Sequence, residues 1–214
     1  MASKVEIKLV APGIVKVEGA KFVKNSQGRT WAVLDGNTFA QVLDAVFKIS
    51  RRFESGNDFA KWLRTMINSP FIFADVDYYI PLDITLDGVY AWWDLQMMQI
   101  LTSLELGGPR PLETMDCDDW SSNFSSRAAF DLATNAFPRL WGILEIDGEK
   151  CGHAYNAVVI PVSHDQSTGT VVLAVLGFEP QLNTATTPDE NGEFTIQVQG
   201  LGTLRYNTYA ALSL

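Results

Sequence analysis

The chain changes its pattern at Met115-Asp116-Cys117-Asp118-Asp119-Trp120. This stretch follows a Gly/Pro-rich break at residues 107–111 and precedes a predicted helix that runs to residue 135. A cysteine at the start of a helix has its thiolate stabilised by unpaired backbone amides and by the positive end of the helix dipole. Asp118 and Asp119 suit the first helical turn but oppose a negative sulfur, so Cys117 needs a cationic partner to act as a nucleophile.

Downstream of this helix the sequence predicts a series of strands. Asp147-Gly148 is a hairpin-turn signal after the first of them. The predicted strands are Leu140–Ile146, Ala154–Pro161, Val171–Phe178, Phe194–Val198 and Leu204–Ala210. One helix followed by antiparallel strands indicates an α+β fold, in which the helix that begins at the cysteine packs on an antiparallel sheet.

The residues before Cys117 predict strands first and helices second. Residues 4–34 alternate apolar with charged side chains in short runs separated by turns, which predicts a small antiparallel β unit over residues 1–35. Apolar residues at helical spacing predict helices after Asp35, over 57–67 and over 89–105. We therefore divide the chain into this β unit, 1–35, of unknown role, either separate or part of the same domain, and a catalytic domain, 36–214.

Only two histidines are available as the cationic partner of the cysteine. His153 opens a strongly apolar strand, whereas His164 lies in a polar turn, which favours a solvated position. The pairing of Cys117 with His153 is therefore nearly forced. Glu179 ends the next apolar run, and an acid there can accept the second ring N–H, fix the tautomer and stabilise the imidazolium.

Three strings in this order resemble the transglutaminase-like superfamily, which is related to papain. They are Asp116-Cys117-Asp118-Asp119-Trp120, Gly152-His153-Ala154-Tyr155 and Phe178-Glu179-Pro180-Gln181. The resemblance covers residues 112–182. It implies a papain-like core in which Cys117 is the nucleophile, His153 the general base and Glu179 the orienting acid. At Glu179 the commoner family residue is Asp, which leaves the role in place and changes the length of the side chain.

The resemblance also implies a side-chain donor for the oxyanion, placed before the cysteine. Related enzymes take it from a Gln, Trp or Tyr, and Trp93 and Gln96 are the supporting residues that we name first. Trp92, Gln99, Tyr78 and Tyr79 compete with them, and the sequence does not choose. Asp116, Asp118 and Asp119 either cap the helix and carry surface charge or, for Asp118 or Asp119, hold the loop of the active site; the capping role is favoured.

The net charge of the chain bears on which kinds of partner it can bind. A net charge of −9 argues against a general affinity for nucleic acid or for anionic lipid, since both need a basic surface. No run approaches the roughly 18–20 apolar residues that cross a bilayer, and the charged start lacks the apolar block of a secretion signal. We expect a cytoplasmic protein, with a weak compositional indication of a phage-encoded one.

The thiols and the acidic residues show no pattern typical of a metal or cofactor site. Cys117 and Cys151 lack the paired Cys-x-x-Cys or His-x-x-x-His spacing of a zinc site. We therefore predict two free thiols, no metal and no cofactor. Cys151 lies two residues before His153 and should share its strand face, where packing is the expected role.

Three functions follow as hypotheses. The first is a cysteine peptidase or amidase that cuts an amide or peptide bond of a protein or peptide substrate through an acyl-enzyme. The second is a transglutaminase, in which an amine resolves the same intermediate. The third is a binding or structural module that keeps the fold without turnover. The sequence leaves the oligomeric state open.

Overall fold

The computed structural model describes residues 5–106 and 115–213, apart from the side chains of residues 104–106. The strands are β1 Glu6–Ala11, β2 Ile14–Glu18, β3 Lys21–Lys24, β4 Thr30–Asp35, β5 Phe71–Phe73, β6 Asp77–Pro81, β7 Arg139–Ile146, β8 Glu149–Asp165, β9 Thr170–Glu179, β10 Thr184–Thr186, β11 Glu193–Val198 and β12 Gly202–Ser213. The helices are α1 Gly36–Phe47, α2 Ile49–Phe53, α3 Asp58–Met66, α4 Leu86–Leu106 and α5 Cys117–Arg127. The Gly/Pro-rich break at 107–111 lies outside the described residues.

Two sheets organise these elements. The main sheet has the order β1-β2-β9-β8-β7-β12-β11, with β10 paired to β9 and β5 paired to β12. All of its pairs are antiparallel except β5 with β12. A smaller sheet contains β3, β4 and β6. The predicted α+β class with a large antiparallel sheet is confirmed.

The middle of the central strand β8, residues 153–160, is buried on both faces, which explains the apolar run over residues 157–160. Val159 packs into a cluster with α1, and its neighbour Val158 packs into a second cluster with α4 and α5. This split follows from the alternation of side chains along a strand. Trp93 and Phe124 form the edge-to-face contact between α4 and α5, with ring centroids 4.9 Å apart. Together α4 and α5 thus cover one face of the sheet.

The predicted C-terminal strands are all observed, with wider bounds than the sequence indicated. The predicted helix to residue 135 is too long, because α5 ends at Arg127 and a π-helical turn follows over Ala128–Leu132. Ala133 then takes a left-handed conformation with φ of 53°, which ends the helical stretch.

The N-terminal strands are shared between the two sheets. β2 pairs with β9 and carries β1 to the edge of the main sheet, while β3 and β4 pair with β6. Val15 and Val17 of β2 are fully buried, so this strand contributes directly to the larger cluster. Within the described residues, no helix combines the length and the apolar character that crossing a membrane requires.

Candidate active site

Cys117 is the first residue of α5, so its sulfur lies at the N-terminus of this helix. Asp116 is the N-cap residue, and its Oδ1 accepts a hydrogen bond from the Asp119 amide at 3.4 Å. The thiol is partly exposed, and Sγ accepts a hydrogen bond from the Ala154 amide at 3.4 Å. The helix start therefore holds the sulfur against the backbone of β8.

The end of β9 makes room for this contact. The ladder between β8 and β9 begins at the pair Asn156 and Phe178, and β9 ends one residue later at Glu179. β8 continues beyond that pair toward Glu149, so the Ala154 amide lies past the ladder and donates to the thiol instead.

His153 and Glu179 form a buried pair. His153 Nε2 lies 2.7 Å from Glu179 Oε2, and the two residues are 8% and 2% exposed. The other carboxylate oxygen, Oε1, accepts a hydrogen bond from the Gln181 amide at 3.3 Å. Pro180 begins a 3₁₀ turn at this point, with Glu179 as its cap. The turn therefore fixes the acid at the end of its strand.

The surroundings of His153 favour the protonated ring. Burial opposes the charge, but hydrogen bonds and Coulomb attraction from Cys117 and Glu179 outweigh it and raise the pKa of His153 to about 9. Because Nε2 faces Glu179, Nδ1 is the nitrogen left for the thiol. At neutral pH this arrangement favours an imidazolium between two acidic partners, which is the cation that Cys117 requires.

Of the aspartates beside the thiol, Asp116 caps the helix, and its side chain interacts with that of Asp118. A side-chain hydrogen bond to Asp116, together with burial and neighbouring negative charge, raises the pKa of Asp118. The same bond and the Asp119 amide lower the pKa of Asp116. The capping role that the sequence favours thus belongs to Asp116 most directly.

The two tryptophan candidates on α4 donate their N–H groups to other acceptors. Trp93 is fully buried and its single N–H donates to the Pro180 carbonyl at 2.8 Å, so this arrangement does not offer that N–H to an oxyanion. Gln96 accepts a hydrogen bond from Arg127 and ties α4 to α5. Trp92 donates to Asp131 at 3.1 Å. Trp93 instead secures the turn that follows Glu179.

The remaining candidates lie elsewhere. Tyr78 is buried in the larger cluster, where its ring stacks on Phe39 with centroids 4.2 Å apart. Tyr79 and Gln99 are exposed. The amide at the first position of a helix has no intrahelical acceptor, so the Cys117 amide is the backbone donor that the fold provides.

Tyr206 is a site residue that the sequence did not indicate. Its hydroxyl donates to Glu179 Oε2 at 3.1 Å, the same oxygen that faces His153. In the sequence it is one aromatic residue among several in an alternating strand, and nothing marks it as different.

Both cysteines are free, as predicted, and Cys151 is exposed. Among the described residues, no three His, Cys, Asp or Glu side chains are grouped closely enough to hold a metal ion.

Comparisons of this chain with protein-family models, with curated proteins and with solved structures find no match. Its function is therefore inferred from the geometry around Cys117 and from the order of the three strings that contain the site residues.

Proposed function

We propose that this chain is a thiol-dependent hydrolase of amide or peptide bonds, with Cys117 as nucleophile, His153 as proton carrier and Glu179 as the acid that orients the ring. The observation that carries the proposal is the buried His153–Glu179 pair, 2.7 Å apart, beside a partly exposed thiol at a helix start. A structural histidine needs neither a buried acid behind it nor a thiol in front of it. The resemblance to the transglutaminase-like superfamily supports the same three roles.

The reaction proceeds in two halves. Cys117 Sγ bonds to the carbonyl carbon of the substrate, and the imidazolium of His153 gives its proton to the amine as the C–N bond breaks. A thioester and a free amine result. Water then attacks the thioester carbonyl while His153 takes one of its protons, the C–S bond breaks, and the carboxylic acid leaves. Glu179 stabilises each imidazolium without itself becoming protonated.

Electrostatic support comes from three directions. The positive end of α5 and the Ala154 amide both favour a negative sulfur, and the imidazolium faces it. The Cys117 amide, at the start of α5, is the donor that we assign to the oxyanion of the tetrahedral intermediate. These donors are fixed by a helix start and a strand, so little reorganisation is needed when charge develops.

A peptide library tests the proposal. The protein is incubated with the library in the presence and absence of a primary amine, and the products are read by mass spectrometry. Cleavage that depends on Cys117 and persists without amine is the expected result. Amine incorporation at glutamine side chains without cleavage would make the chain a transglutaminase instead.

The chain offers a matched thiol control. Cys117→Ala should abolish turnover, whereas Cys151→Ala should retain it, because Cys151 is an exposed thiol outside the proposed triad. Equal activity of the two variants would contradict the role of Cys117 as nucleophile. No product with any library member, together with an unreactive Cys117, would favour the binding or structural module.

A further inference from the structure

Tyr206 shares one oxygen of Glu179 with the catalytic histidine. Its hydroxyl lies 3.1 Å from Glu179 Oε2, while His153 Nε2 lies 2.7 Å from that atom. Tyr206 is fully buried in β12. Burial and the charge of Glu179 raise the pKa of Tyr206, so the hydroxyl keeps its proton and is the donor in this bond. Two donors from different strands therefore converge on one carboxylate oxygen.

The ring of Tyr206 is held by its neighbours. Phe194 lies directly opposite on β11 and stacks on it, with centroids 4.5 Å apart and planes 2° from parallel. Gly177 leaves space for Phe194, since a Cβ at that position would lie 2.4 Å from the Phe194 ring. Tyr155 packs edge-on at 5.2 Å. Rotation of Tyr206 away from Glu179 is thus opposed by close packing.

We infer that Tyr206 is a positioning residue, whose hydroxyl holds Glu179 Oε2 against the ring of His153. The inference rests on the proposed function. Without this donor, the carboxylate is held by the Gln181 amide on its other oxygen, at 3.3 Å, and by His153 itself, so its side chain gains freedom to move away from the ring. The acid would then stabilise the imidazolium less, and the thiol of Cys117 would react more slowly.

A neighbouring tyrosine provides the matched control. Tyr155 is also fully buried, and its hydroxyl forms a hydrogen bond of 2.8 Å with Thr208 Oγ1 rather than with Glu179. Tyr155→Phe and Tyr206→Phe each remove one buried hydroxyl within the same cluster. A loss of general packing affects both variants, whereas a loss of positioning affects only Tyr206→Phe.

The test measures the alkylation of Cys117 by iodoacetamide from pH 5 to 10, together with an NMR titration of the His153 ring. The titratable side chains around this ring are Cys117, Cys151, Glu179, Tyr155 and Tyr206, with Arg52 behind Tyr155. In Tyr206→Phe we expect alkylation at pH 6 to fall about tenfold relative to Tyr155→Phe, the size of one hydrogen bond to a charged group. The pKa of His153 should fall below its value in the unmodified protein.

Two outcomes separate the inference from the function on which it rests. A reactive Cys117 in the unmodified protein, with Tyr206→Phe indistinguishable from Tyr155→Phe, overturns the positioning role alone. An unreactive Cys117 in the unmodified protein overturns the proposed function. If Tyr206→Phe fails to fold, Phe194→Leu keeps the hydroxyl but loosens the ring, and it should slow alkylation in the same direction; an unchanged rate in that variant contradicts the inference.

Discussion

At the residue scale, the charge of Glu179 is separable from its hydrogen bond. Glu179→Gln keeps the size of the side chain and an oxygen that can accept from Nε2, but it removes the negative charge next to the ring. Because that charge helps to raise the pKa of His153 to about 9, we expect the variant to lower it. An NMR titration of the ring measures the change.

Glu179→Asp is the control for this prediction. It retains the charge and shortens the side chain by one methylene, so the pKa of His153 should lie between those of the unmodified protein and Glu179→Gln. A Glu179→Gln variant with an unchanged His153 titration would show that the acid does not face a charged ring.

Residue type and position were sufficient to predict that Cys117, His153 and Glu179 lie together, because each has chemistry that is scarce in the chain or placed at the end of an element. Residue type and position were not sufficient to predict that Tyr206 contacts Glu179 or that the N–H of Trp93 donates to the Pro180 carbonyl. Tyr206 follows the same alternation as other strand aromatics, and its contact with Glu179 depends on the pairing of β12 with β7 and β11. The helical spacing of Trp93 shows which face of the helix it lies on, but it does not show that the indole N–H donates to the Pro180 carbonyl.

At the element scale, Gly142 controls how closely β7 approaches its neighbours. A Cβ at this position would lie 2.1 Å from the Asn207 carbonyl oxygen and 2.6 Å from the Tyr155 hydroxyl. Gly142→Ala should therefore lower the free energy of unfolding by at least about 2 kcal/mol, since backbone atoms on β12 cannot move aside cheaply. Urea unfolding followed by circular dichroism measures the loss.

Gly56→Ala is the matched substitution, because a Cβ at Gly56 meets nothing within 4 Å. Its effect should stay within about 1 kcal/mol of the unmodified protein. Equal stability of the two variants would mean that β7 and β12 are not packed as described.

Periodicity predicts elements but not their partners. The predicted strands after residue 139 were correct because alternating or continuous apolar runs are local properties of the chain. The pairing of β2 with β9, and of β5 with β12, joins segments far apart in sequence and depends on register and packing. The split of the first four strands between two sheets could not be read from residues 1–35 for this reason.

At the scale of the whole molecule, the raised pKa of His153 links stability to pH. The ring binds a proton in the folded state up to about pH 9, whereas the unfolded chain releases it near its ordinary value of about 6.5. The folded state therefore holds more protons between these values, and its contribution to stability is complete below about pH 6.5 and is lost as the pH rises through about 9. We expect the free energy of unfolding to decrease over this interval.

His153→Gln should remove this part of the pH dependence. His164→Gln is the control, since His164 is exposed in β8 and distant from the acid. Thermal or urea unfolding at intervals from pH 6 to 9.5 measures the slope for each variant. A slope that persists in His153→Gln and disappears in His164→Gln would assign the pH dependence to His164 and contradict the prediction.

The most direct measurement compares the two thiols of one molecule. The protein is treated briefly with iodoacetamide at pH 6, and mass spectrometry gives the alkylated fraction of Cys117 and of Cys151. Burial and the nearby Cys117 raise the pKa of Cys151, whereas His153 faces Cys117. We predict that Cys117 reacts at least about tenfold faster than the more exposed Cys151, and that His153→Ala removes the difference. Equal rates, or faster alkylation of Cys151 in the unmodified protein, would contradict the assignment of Cys117 as an activated nucleophile.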